Sequence, residues 1–220
     1  EAVIKLLACK TNARGEFKYH CSNSNCTHTK KVPFTCKHRL CSSCGKKATM
    51  QWIERQSQHF PDVAYQHIVF TMPAEFRALF WANRFLLNKI AAIAADCIRT
   101  ITDTQGAIVG MFVAIHTFGG DLKRHVHVHL SVSLGGLNKA KTQWKTIPKF
   151  CDNDLFPLWR ARIIKLIRNS YNKGKLTLVD NLVHLQKDPA GFNRFLSVQY
   201  ARWWNVSCQP PDKSHKRNTE

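Results

Sequence analysis

The chain has 220 residues, 44% of them apolar, and carries 33 Lys and Arg against 14 Asp and Glu, a net charge of +19. That length holds one medium domain and a small one, and the apolar share argues against disorder. No run approaches the ~18 apolar residues of a membrane span, and the opening EAVIKLLACK lacks the basic start and cleavage site of a secretion signal. Basic residues spread from Lys5 to Arg217 imply a polyanionic partner met over a broad surface.

Of nine cysteines, six fall in the first 44 residues. In a chain with no secretion signal this clustering points to thiolate–metal chemistry in a reducing compartment. Cys21-x4-Cys26 and Cys41-x2-Cys44 stand 14 residues apart and read as the two knuckles of a zinc ribbon. Cys9, His28, Cys36 and either His20 or His38 are ligands enough for a second zinc, at less regular spacing. Cys97, Cys151 and Cys208 read as core or loop thiols. Residues 1–46 hold too few large aliphatics for a core, so this zinc-binding module takes its stability from metal. Residues 47–64 read as a helical connector.

The remaining elements follow in chain order. YQHIVFTM (65–72) is a buried strand ended by Pro73. Residues 75–102 space Phe76, Phe80, Leu86, Ile90, Ile93, Cys97 and Ile101 as one amphipathic helix closed by Gly106. AIVGMFVAIHT (107–117) is a strand, FGGDLK a turn, and RHVHVHLSVSL (124–134) the return strand, ended by Gly135-Gly136. A helix capped by Asn153 or Asp154 carries Leu158, Trp159, Ile163, Ile164 and Ile167. A further helix is expected at 190–201 and a last strand from Trp203 to Cys208, stopped by Pro210-Pro211. The tail DKSHKRNTE is polar. The order predicts α+β with a mainly antiparallel sheet over 65–220.

His125, His127 and His129 alternate on the return strand and so share one face. Neighbours lie ~6.7 Å apart along the strand and the outer two ~13 Å, so one metal takes an adjacent pair and not all three. His116, just before the turn, supplies the third ligand from the partner strand. Neutral imidazoles suit Mn, Zn or Mg with positions left open for substrate oxygens. Carbonic-anhydrase-like and cupin sites share this pattern; the basic charge and the cysteine module favour nucleic acid. Lys139, Lys141, Lys145 and Lys149 are candidate phosphate contacts, and Trp144 is either a stacking platform for an unpaired base or a packing aromatic. Arg160, Arg162, Lys165 and Arg168 are either a solvated helix face or DNA contacts.

HTFGGDLKRHVHVHLSVSLGG (116–136) resembles the core signature of the two-tyrosine HUH transposases of the insertion sequence 91 type. QHIVFTMP resembles the first strand of their nuclease domain, and CKHRLCSSCGKKATMQW is similar to their zinc-binding module. The resemblance runs from about Cys9 to the end of the chain. It implies an HUH-nuclease sheet with flanking helices. His127-Val128-His129 would hold Mg2+ or Mn2+ there, with tyrosine attacking single-stranded DNA at element-end hairpins. It also implies a 5′-phosphotyrosine link, a free 3′-OH, structural Zn2+, and a bacterial, cytoplasmic, nucleoid-associated setting. Where that family has Pro after its leading histidine, this chain has Val126. Its Tyr-x-Gly-Arg-Tyr setting is absent: Tyr19, Tyr65, Tyr171 and Tyr200 have no partner four residues away. The nucleophilic tyrosines are expected after Glu220. A DNA-binding module without catalysis, or a related replication initiator or relaxase, are the competing readings.

Overall fold

A computed structural model describes residues 1–211; the polar tail 212–220 lies outside the described residues. The chain forms two compact units, Glu1–Pro61 and a second beginning at Asp62.

The first unit opens with α1 (Ala2–Leu7) and a hairpin of β1 (Glu16–His20) and β2 (Thr29–Pro33), paired from Glu16↔Pro33 to His20↔Thr29. An irregular stretch then leads into α2 (Cys44–Ser57). Within it only Cys41 and Gly45 are buried. That is no hydrophobic core, as the scarcity of aliphatics predicts. The stretch expected as a connector is mostly α2, which begins at Cys44 and falls within this unit.

In the second unit β3 (Tyr65–Phe70), β4 (Ala107–Phe118), β5 (Arg124–Asn138), β6 (Trp144–Thr146) and β7 (Val206–Cys208) form one sheet in the order β4-β5-β3-β7, with β6 on β5. Every pairing is antiparallel. One face is the core: Val126, Val128, Leu130 and Val132 of β5 and Ile68 and Phe70 of β3 pack with α3 (Arg77–Ala82), α4 (Leu87–Thr104), α5 (Asp152–Asn172) and α6 (Pro189–Ala201). The alternate β5 residues, 125 to 131, stay half-exposed. No described helix is long and apolar enough to cross a membrane.

Three expectations are corrected. The helix over 75–102 is broken at Asn83, with φ −114 and ψ 63. The Asn83 side chain bonds Leu79 O, Thr177 O and Thr177 N at 2.7–2.9 Å, so tertiary bonds outbid the helical ladder. Gly135-Gly136 does not end the return strand, which runs on to Asn138. A Cβ at Gly136 would sit 2.1 Å from Ile108 O, and one at Gly135 2.7 Å from the Trp144 ring. These glycines serve close approach, not a stop. The long helix begins at Asp152, capped by Cys151 with extended backbone instead of Asn153 or Asp154.

The β4–β5 ladder shifts register twice. Between Val109↔Gly136 and Met111↔Val132 the extra residues lie on β5. There the buried Ser133 hydroxyl accepts from Gly110 N at 2.9 Å and donates to Gly135 O at 2.6 Å. The second shift falls between His116↔His127 and Phe118↔Arg124, around His125.

Candidate metal centres

In the first unit the thiols of Cys9, Cys36, Cys41 and Cys44 lie within 4.8 Å of one another. Cys9–Cys44 and Cys9–Cys41 are 3.6 Å apart and Cys36–Cys44 3.8 Å. A zinc tetrahedron with Zn–S of ~2.3 Å has edges of about 3.8 Å, which these three spacings match. Backbone N–H groups of Cys36, His38 and Cys44 point at Cys9, Cys36 and Cys41 sulfurs at 3.4–3.5 Å. The Cys44 and Ser43 amides pull Cys41 down to about 6. Cys9 accepts from the Cys36 amide, yet burial and the neighbouring thiols push it up to about 12. Four thiolates this close cannot all ionise unless a cation offsets their repulsion.

This cluster differs from the expected ribbon. Cys41 and Cys44 are in it; Cys21 and Cys26 are not. Cys21 and Cys26 sit in the loop between β1 and β2, and five paired residues carry that loop ~17 Å along the hairpin from its base. Cys9 precedes the hairpin and Cys36 follows it, so both remain at the base. Of the proposed second set, Cys9 and Cys36 therefore belong with the first pair, while His28 stays at the tip, its carbonyl bonded to Cys21 N. The Cys36-x4-Cys41-x2-Cys44 run was the signal that the pairing by knuckles passed over.

In the second unit His116, His127 and His129 bring one ring nitrogen each within 4.8 Å. His116 faces His127 directly across the ladder, and the His116 ring lies 4.2 Å from His129 and 5.2 Å from His127. His125 is outside the group, as strand spacing and the register shift require. Its backbone carbonyl accepts from His127 Nδ1 at 2.9 Å, which leaves Nε2 as the nitrogen of His127 that can serve as a ligand. Burial, then the neighbouring His116, His127 and His67, hold His129 down at about 4, so it offers a lone pair at neutral pH. Three imidazoles so placed fit a divalent transition-type ion with positions to spare. These two groups are the metal-competent clusters among the described residues.

The candidate DNA contacts lie after β5. Lys139, Lys141 and Lys149 are exposed. Lys145 donates to Gln105 O at the carboxyl end of α4, a structural tie. Trp144 is 46% exposed but lies against Gly135, so packing holds it and one face stays open. On α5, Arg162 bonds Thr100 Oγ1 and Arg168 bonds Asn193.

The chain thus carries a module with four clustered thiols, followed by a half-exposed sheet on which three histidines converge. Residues 1–72 match the family described as "Transposase zinc-binding domain", and residues 110–219 the one described as "Putative transposase". The chain belongs to the insertion sequence 91 type transposase family. It is 46% identical over 221 residues to the "Transposase for insertion sequence element IS801" of Pseudomonas savastanoi pv. phaseolicola, covering 99% of this chain and 52% of that protein. It is 30% identical over 210 residues to "Putative transposase y4qJ" of Sinorhizobium fredii (strain NBRC 101917 / NGR234), covering 92% and 52%. The chain thus spans about half the length of these curated relatives. No solved structure matches it.

Proposed function

We propose that the second unit is the metal-binding nuclease part of a rolling-circle transposase, acting on single-stranded DNA at element ends, and that the first is its zinc-stabilised companion. The observation that carries this reading is the convergence of His116, His127 and His129 on the half-exposed face of the sheet, in a chain of +19 charge. Cys9, Cys36, Cys41 and Cys44 hold Zn2+ in this reading. The three histidines hold Mn2+ or Mg2+; nitrogen donors without a carboxylate favour Mn2+. Such an ion supplies polarisation of the scissile phosphate and stabilisation of charge on the leaving 3′ oxygen. His127 and His129 present ring nitrogens from one strand face, which fixes both on one side of the DNA path. Lys139, Lys141 and Lys149 grip phosphates, and the open face of Trp144 stacks a base.

The attacking tyrosine comes from outside residues 1–220. Tyr65 is 4% exposed, Tyr171 donates its hydroxyl to the carbonyls of Leu185 and Gln186, Tyr200 lies 4.3 Å under the Arg160 guanidinium, and Tyr19 is in the first unit. That engagement also favours a second reading, in which residues 1–220 alone bind DNA ends without cutting. One experiment separates the two. Residues 1–220 and a version extended through the tyrosine helix are incubated with labelled single-stranded DNA and Mn2+. The nuclease reading expects a covalent adduct only with the longer chain, lost in His127→Ala. An adduct mapped to one of the four tyrosines above, or none with the longer chain, overturns it.

A further inference from the structure

His67 lies on β3, between the buried Gln66 and Ile68, with its ring on the half-exposed face beside β5. Its Nε2 is 2.9 Å from His129 Nδ1. The ring planes differ by only 15° and the centroids are 5.1 Å apart. Rings stacked face on face keep their atoms about 3.5 Å or more apart. A 2.9 Å approach between near-parallel rings therefore means that they lie edge to edge in one plane, each nitrogen on the line between the centroids. An N–H fills that line. A shared ion does not fit, because both nitrogens aim at each other and not at a third point.

Two assignments of the proton exist. If His67 donates, His129 carries its own hydrogen on Nε2, and neither of its nitrogens is left to ligate. If His129 Nδ1–H donates to His67 Nε2, the His129 Nε2 lone pair is free for the ion. His127 already shows the second arrangement, because the carbonyl of His125 can only accept from its Nδ1–H. A ligating histidine that donates its other nitrogen to a neighbour is held in both ring angle and tautomer.

We propose that His67 is a positioning residue for the metal centre: its Nε2 accepts the His129 Nδ1 hydrogen and so fixes His129 as an Nε2 ligand. This rests on the metal-binding reading of the histidine cluster. His67 matches His125 in role, one giving a side-chain acceptor from the neighbouring strand and the other a main-chain acceptor from its own.

The test measures Mn2+ binding to the 220-residue chain by calorimetry, in the unaltered protein, His67→Leu and His67→Gln, with thermal melting of each as a control for folding. Gln can present its carbonyl oxygen where His67 presents Nε2. Removing such a support weakens metal binding by ~10–100-fold. We expect His67→Leu to lose affinity in that range and His67→Gln to recover most of it. In the metal-free protein, nitrogen NMR should show His129 protonated at Nδ1, and His67→Leu should shift it towards Nε2. Leu and Gln variants that bind as the unaltered chain does, or that lose binding equally while still folded, overturn the proposal. So does an Nε2–H His129 in the unaltered protein. Absence of Mn2+ binding in the unaltered chain would instead sink the metal reading, with the nitrogen spectrum still deciding the role of His67.

Discussion

At the scale of single residues, the histidines should not be equivalent. His127→Ala or His129→Ala should abolish Mn2+ binding at this centre. His125→Ala should largely keep it, because the group His125 contributes is a carbonyl that alanine also has; calorimetry on the three variants checks this. The cluster should also make the second unit acid-sensitive. His129 sits near 4 when folded and at the ordinary 6.5 when unfolded, through burial and then its histidine neighbours, and His67 and His125 are lowered too, with burial the main cause. The unfolded chain therefore takes up protons first as pH falls. Stability present above about 6.5 should decline down to about 4 and not change further on this account. Melting of the metal-free chain across that range, against His129→Gln, should show the variant losing less. The period-two histidines and their cross-strand partner were legible because both signals are local to one hairpin. His67 was not, since its neighbour is 62 positions away and strand order is not written in any local pattern.

Single elements carry two further expectations. Ser133→Ala leaves the buried Gly135 carbonyl, as well as the Gly110 N–H, without its hydroxyl partner inside the register shift, which should cost ~1–3 kcal/mol, read from denaturant melting. In the first unit Cys36→Ser should release zinc and unfold the hairpin and α2 together, because metal binding there is worth ~10 kcal/mol or more of folding energy. Cys21→Ser should leave the metal content of the four-thiol cluster unchanged. Equal zinc loss in both variants would restore the ribbon of Cys21, Cys26, Cys41 and Cys44. Strands and amphipathic helices were readable in the sequence because their periodicity reports burial directly. The break at Asn83 and the continuation through Gly135-Gly136 were not, since both depend on tertiary partners: Thr177 for one, Ile108 and Trp144 for the other.

For the molecule as a whole, the charge should govern DNA affinity. Each phosphate neutralised on a single strand adds roughly 0.7 to the negative slope of log affinity against log salt. A slope equivalent to several phosphates is expected, and replacing Lys139, Lys141 and Lys149 by alanine should flatten it. Replacing Lys145 should do so less, as it is tied to Gln105 O. A salt-independent affinity would leave the +19 charge without this role. That a thiol-rich part precedes an aliphatic-rich one was plain from composition. The division between them after Pro61 was not, because α2 begins on a zinc-module cysteine and composition changes within its first turn.

The two register shifts in the β4–β5 ladder have one more consequence. β4 is a twelve-residue strand at the margin of the sheet, with Ile108 and Ile115 exposed along it. A long straight margin is a template on which another chain can add a strand and begin to aggregate. Here the irregularities confine the regular stretch to Met111–His116. The extra residues on β5 interrupt the regular ladder on either side of that stretch. They guard this edge as well as setting His125 apart from the three converging histidines. Deleting two residues, Leu134 with Gly135, to even out this part of the ladder should therefore yield a protein that self-associates, visible as a concentration-dependent rise in scattering mass.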